Sequence, residues 1–443
     1  MTHNKKKTGW LAAAALVAGN MIGTGVFTSL GFQLADLPPN WIIGLLWALG
    51  GVAALCGALC YAELGAALPA RSGGEYHLLG QTWHPLAGFL SGWVSLTVGF
   101  AAPVALASSA FGTYAANAFF EGSGAARLLG SFGVLTAATL VHLFSVRMSG
   151  RFQLAATLFK IAAILALIIA GWMAPPVENP LTAAAPGLEG KGGGFSLVWT
   201  PGFAVALFFV AYSYSGWNAA AYIAGELERP ARDLPRALLA GTAAVTVLYV
   251  LFNLALIRST PAEALRGQMD VALVAAKHLF GDAGGRVMGA LISLGLVSAV
   301  SGMMWAGPRV AAVMGQDWRV FAPLARETQH GVPWAATVWQ FLAAALFLAF
   351  GGFAKVLTYI EFTLSLSTFL TVAGVFWLRW KRPDLPRPFK AWGYPVTPLI
   401  FLAATGYALV RYATHPEHWA SSFLGLGTVA LGAVIYALAP KRA

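Results

Sequence analysis

The chain has 443 residues, of which 58% are hydrophobic and only 10% charged, with a formal net charge of +11 and a mean hydropathy of +0.69. Soluble globular domains carry roughly 25% charged residues, so this composition excludes a water-soluble protein. The length would divide a soluble chain into about three domains, but membrane helices share one bundle, and the positive excess points to loops on one membrane face rather than to nucleic acid.

In chain order, apolar blocks predict twelve spans at 9–35, 41–68, 85–118, 128–146, 152–174, 201–225, 236–257, 284–313, 333–352, 355–379, 393–412 and 419–438. Each block is long enough to cross about 30 Å of hydrocarbon at 1.5 Å per residue. The start, Lys5 to Lys7 followed by apolar residues from Trp10, superficially resembles a signal peptide. The apolar run continues to Leu34 without a cleavage site, which makes it the first span. Cys56 and Cys60, four apart in one apolar block, are read as packing residues. With the N-terminus inside, cytoplasmic segments collect 19 Lys and Arg and outer segments 8, with Lys160 left inside a span. This asymmetry supports twelve spans with both termini in the cytoplasm; the expected location is the inner (plasma) membrane of a bacterium. Segment 175–200 reads as an outer Gly- and Pro-rich loop, 315–331 as an inner loop with a short helix, and 71–85 as an interfacial amphipathic helix.

Two spans are interrupted at mid-depth. Gly19-Asn20-Met21-Ile22-Gly23-Thr24-Gly25 puts three glycines in seven residues of the first span, and Tyr212-Ser213-Tyr214-Ser215-Gly216-Trp217-Asn218 lies in the sixth. Broken backbone within a membrane is tolerated where it lines a protected site. The N-terminus of a half-helix suits a carboxylate, and opposing carbonyls suit an ammonium. Glycines that merely allow close helix packing are the bland alternative. Breaks at equivalent places in two halves favour a substrate site between inverted repeats.

The motif from Gly19 to Phe27 resembles the first span of the amino acid–polyamine–organocation (APC) superfamily. The stretches Glu63–Pro69, Ser72-Gly73-Gly74-Glu75-Tyr76 and Gly88-Phe89 resemble its segment after span two. Tyr214 to Asn218, Glu226 to Pro230, Leu234-Pro235-Arg236, and Trp377 to Arg379 with Arg387 to Lys390 are most similar to its L-type amino acid transporter branch. The resemblance implies an all-α, leucine-transporter-type fold in a single membrane domain (1–443). Helices 1–5 (9–174) and 6–10 (201–379) would form a 5+5 inverted repeat with helices 1 and 6 broken, followed by helices 11–12 (393–438). It implies that Gly23, Thr24 and Gly25 take the substrate carboxylate. The amino group would fall to carbonyls of Met21 and of Tyr212, Ser213, Tyr214, Ser215 and Gly216, with Tyr212 as aromatic gate and Asn218 beside the substrate.

Lys160 is costly in mid-membrane, and that marks it as functional or paired. It lies nine residues after Arg151, roughly 13 Å in, too deep to snorkel easily. The resemblance implies that its ammonium replaces a sodium ion, bridging spans one, five and eight, with Ser298 and Ser301 as candidate partners. Glu63 and Glu226, near arginine-rich loops, are read as paired structural residues. Glu361, seven residues into span ten, is a candidate proton carrier, substrate contact or structural acceptor. His142 has no His or Cys three or four residues away, so a metal site is not expected. No nucleophile–base pair or phosphate loop is present, so an enzyme and a cofactor are not expected.

The reading is a sodium-independent exchanger of neutral L-amino acids working by alternating access. The alternatives are a proton-coupled symporter, an exchanger of cationic amino acids or amines, and a membrane sensor without flux. Its partners would be the amino acid and membrane lipid. Loop 119–127 has no cysteine, so no disulfide-linked heavy subunit is expected.

Overall fold

The computed structural model describes residues 8–68, 71, 73–144, 149–177, 198–328, 331–350, 352–415 and 419–439. Every regular element among them is helical: α1 (Trp10–Met21), α2 (Gly25–Asp36), α3 (Trp41–Ala67), α4 (Glu75–Thr82), α5 (Pro85–Val94), α6 (Ala101–Phe119), α7 (Gly124–Phe144), α8 (Ser149–Met173), α9 (Pro201–Tyr214), α10 (Ala219–Tyr222), α11 (Pro230–Ser259), α12 (Ala262–Leu265), α13 (Val271–Asp317), α14 (Trp334–Phe350), α15 (Phe353–Lys381), α16 (Val396–Ala413) and α17 (Trp419–Leu438). Nine stretches among the described residues are long and apolar enough to cross a membrane. Three shorter apolar helices, Thr157–Met173, Gly202–Tyr214 and Trp334–Phe350, fall on the remaining expected spans.

Local chemistry sets the helix starts. Asn40 accepts from the Ile42 N–H (3.0 Å), and Thr200 from the Phe203 N–H (3.3 Å). Both are side-chain caps on donors that lack an intrahelical acceptor. Pro85, Pro201 and Pro230 sit at first-turn positions, where a missing N–H costs nothing.

The third expected span is present as Pro85–Phe119, with a π-helical stretch, Ser95–Gly99, between α5 and α6. Two other expectations need correction. The eighth begins earlier than expected, α13 starting at Val271 and kinking at Gly281 (φ 70°), a backbone angle that favours glycine. The segment around α4 does not float at an interface. Glu75, His77, Leu78, Leu79 and Thr82 are buried, because α4 packs on α5 and α15. Gly88 permits the first contact: a Cβ there would stand 2.8 Å from the Gly80 Cα.

The interior is built where α11 runs along α3 and α1, α13 along α6 and α8, and α2 along α9. The last two helices are peripheral, and α17 turns Phe423, Leu424, Leu431 and Leu438 outward. In a bilayer these side chains meet acyl chains at no cost. Cys56 and Cys60 are free and buried. Glu63 is held by Arg379 through two bonds (2.8 and 2.6 Å) and by the Ala391 N–H (2.7 Å), which ties α3 to α15 and to the segment after it. Glu226 meets Arg309 at 3.8 Å.

Candidate functional site

Both predicted interruptions are present. Between α1 and α2 the helix is broken at Ile22–Thr24, and between α9 and α10 at Ser215–Asn218. They cross at Gly25, where a Cβ would fall 2.5 Å from the Ser213 Cα. Only a glycine allows the two backbones to approach this closely.

The first break is closed by polar partners. The Lys160 ammonium, buried in the bundle, donates to the carbonyls of Ile22 (2.9 Å) and Gly19 (3.3 Å). The Tyr249 hydroxyl donates to the Met21 carbonyl (2.5 Å). Carbonyls at a helix C-terminus carry the negative end of its dipole, so a fixed cation there satisfies both charge and hydrogen bonding. On the far side of the break, the first N–H groups of α2 have no acceptor within their own helix. Over them Thr24 bonds the Tyr212 hydroxyl (2.8 Å), and Ser29 bonds Ser213 (2.9 Å), which also donates to the Phe209 carbonyl (2.7 Å).

The two serines expected beside the ammonium bond elsewhere. Ser298 donates to the Gly295 carbonyl (2.9 Å), and Ser301 pairs with His142 (2.9 Å). The reason is steric. Gly295 leaves a groove on α13 along which the lysine methylenes lie, a Cβ there being 3.0 Å from the Lys160 Cγ, so the ammonium passes α13 and reaches α1.

The second break opens onto a cavity of about 180 Å³. Tyr214, Ser215, Gly216, Trp217 and Asn218 line it, with Asn20 from the first break, Phe100 after the π-helical stretch, and Glu361 from α15. Gly216 takes φ +96° where its α-carbon faces the Asn20 backbone, so a side chain is excluded there twice over. Glu361 accepts from the Ser365 hydroxyl (2.7 Å). Met21, Gly23, Thr24, Gly25, Tyr212 and Ser213 do not reach the cavity. Thr24 and Tyr212 bond each other, and Gly25 packs against Ser213, away from its lining.

A polar cluster on the walls of this cavity was not legible in the residue pattern. Glu75 is buried and accepts from the Tyr61 hydroxyl (2.5 Å) and the Asn218 amide (3.0 Å), with Tyr222 and Arg309 on the same walls. Burial lifts the Glu75 carboxyl to about 7, against the two bonds that favour its charged form. The signal was the preceding glycine pair, which takes φ +124° and +54°. Two residues forced into positive φ mark a tight, specified turn rather than a solvated loop. Among the described residues no three His, Cys, Asp or Glu gather as a metal site.

Residues 9–434 match the amino acid permease family. The chain belongs to that family. It is similar to the serine/threonine exchanger SteT of Bacillus subtilis, 28% identical over 412 residues, covering 91% of this chain and 90% of the relative. It is also similar to the large neutral amino acids transporter small subunit 2 of Rattus norvegicus, 30% identical over 408 residues (90% and 75%). A third relative is the b(0,+)-type amino acid transporter 1 of Mus musculus, 29% identical over 397 residues (88% and 79%). These proteins are transporters, and this chain is a membrane-embedded amino acid transporter of the APC superfamily, not an enzyme.

Proposed function

We propose that this permease is a sodium-independent exchanger of neutral L-amino acids. In this reading it has twelve spans, a leucine-transporter-type 5+5 inverted repeat and cytoplasmic termini, in a bacterial inner membrane. The observation that carries the sodium independence is Lys160. A covalently fixed ammonium neutralises the carbonyls at the end of α1, so that break needs no dissolved cation for its charge balance. The substrate carboxylate is taken by Gly23, Thr24 and Gly25 once the Tyr212 gate lifts from Thr24. The amino group is taken by Met21 and by the carbonyls from Tyr212 to Gly216. Exchange is supported by the likeness to SteT, whose name describes an exchanger. The loop between α6 and α7 holds no cysteine, and we propose that the permease needs no disulfide-linked subunit.

The deciding experiment is uptake of radiolabelled L-serine, L-threonine and L-leucine into proteoliposomes, with and without internal amino acid, and with sodium replaced by potassium. Uptake that requires internal amino acid and ignores sodium is expected. Uptake into empty vesicles would end the exchanger reading. One observation favours a second reading, proton symport: Glu361 is a buried carboxylate on the cavity wall. Uptake driven by an acidic exterior and lost in Glu361→Gln would establish it. Uptake insensitive to both would remove it.

A further inference from the structure

Asn218 occupies the N-cap of α10, a place where an asparagine normally caps its own helix. Its side chain makes no such bond. The amide instead donates to Glu75, 143 residues away, at 3.0 Å. The Tyr61 hydroxyl donates to the same carboxylate oxygen, and the Tyr61 ring packs edge-on against Trp217, centroids 4.7 Å apart. Glu75 and Tyr61 thus hold two successive residues of the second break. The start of α4 is keyed to the same region: the Gly73 N–H donates to the Tyr222 carbonyl (3.2 Å), and a Cβ on Gly74 would strike the Tyr222 ring at 2.3 Å.

A buried carboxylate costs more than an amide of the same shape. Glutamine would accept both bonds at lower cost, so the charge does something a neutral isostere would not. Bonds to an ionised acceptor are roughly twice as strong as neutral ones. We propose that Glu75 is a positioning residue for the substrate site: from the cytoplasmic side it holds Asn218, and through it the second break, in the arrangement that accepts substrate from inside. The inference rests on the transport reading above, with α4 on the cytoplasmic face.

The titratable groups around Glu75 are few. Tyr61 comes from α3, Tyr214 from α9 and Tyr222 from α10. Arg309 of α13 lines the same cavity but pairs with Glu226, and Glu361 of α15 is bonded by Ser365. On α4 itself, Tyr76 donates to Asp317 (2.6 Å) and His77 is buried. Glu75 is the carboxylate among these that touches the break directly.

The test uses the full chain in right-side-out proteoliposomes exchanging L-serine, with internal pH varied from about 6 to about 8. Glu75→Gln is expected to raise the KM for internal substrate about tenfold, to leave the external KM unchanged, and to abolish the dependence on internal pH. Glu75→Asp should restore part of that dependence. Asn218→Ala should reproduce the internal KM change, and the double variant should be no worse than Asn218→Ala alone. Unchanged internal KM and pH profile in Glu75→Gln, or effects that multiply in the double variant, would overturn the proposal. If wild type exchanges no amino acid, the transport reading fails by itself. The coupling is then read from thermal unfolding in detergent: non-additive losses in the two variants keep it, and additive losses refute it.

Discussion

The two broken helices use the same device differently. At the first break, the carbonyls of Gly19, Met21 and Ile22 that end α1 meet donors, and the decisive donors, Lys160 and Tyr249, come from helices outside it. The second break has no such cap. Its residues turn toward the cavity, and its polar contact is Glu75, a group from a short helix between spans. A break sealed by a fixed cation is suited to holding geometry. A break bordered by a cavity and an adjustable carboxylate is suited to changing it. The close crossing at Gly25 couples the two, because α2 and α9 touch through backbone rather than through yielding side chains.

This contrast is broken most severely at Lys160. Lys160→Ala strips charged donors from two buried carbonyls, a loss on the order of 3–5 kcal/mol. It should abolish exchange and lower the thermal unfolding temperature in detergent. Normal exchange would show that the first break is not held by the ammonium.

The next effect is a pH dependence at the second break. The folded Glu75 carboxyl stands near 7, above its ordinary 4.5. The folded state therefore keeps a proton that the unfolded chain releases. Stability is fully present below about pH 4.5 and is lost progressively as pH rises to about 7, by roughly 3 kcal/mol at about 1.4 kcal/mol per unit. Thermal unfolding followed from pH 4.5 to 8 should show this slope in wild type and a flatter curve in Glu75→Gln. Equal slopes would assign the dependence to another group.

Gly25→Ala tests the crossing itself. The added methyl must displace Ser213 backbone, at a cost of about 1–3 kcal/mol, and exchange should fall at least tenfold. Gly23→Ala, whose nearest contact would be 3.7 Å, should be milder. Equal damage at both positions would mean that Gly25 is not special for the contact.

The smallest change sharpens the gate. Tyr212→Phe removes the bond to Thr24 (2.8 Å), worth about 1 kcal/mol. It should speed exchange or lower KM by a few-fold, while the stability of the protein changes little. A strong loss of transport would instead make the hydroxyl a direct substrate contact.

Hydropathy made the spans legible, and a glycine cluster marked the first break and a polar stretch around Gly216 the second, because apolar length, polarity and missing Cβ atoms are local properties written in consecutive residues. Lys160 was legible for a similar reason, since a cation at that depth needs a partner. Which partner it takes was not. Ser298 and Ser301 lie at plausible heights, but the missing Cβ of Gly295 and the rotation of α13 direct the ammonium past them to α1. Glu75 was hidden because a carboxylate in a short polar segment reads as solvated. Its burial follows from how α4 folds back on its neighbour α5 and docks on α15, which lies far away in the chain.

The sequence by itself determined a membrane-embedded helical bundle with interrupted helices at two places and a lone cation inside it. These follow from composition, span length and backbone freedom, each of which acts within one segment. Only the tertiary structure decided that one break is sealed and the other faces a cavity, and that Asn218 answers to Glu75 rather than to its own helix. Those outcomes depend on the rotation and docking of separate helices, which pack by shape across the bundle and leave no periodic trace in any one of them.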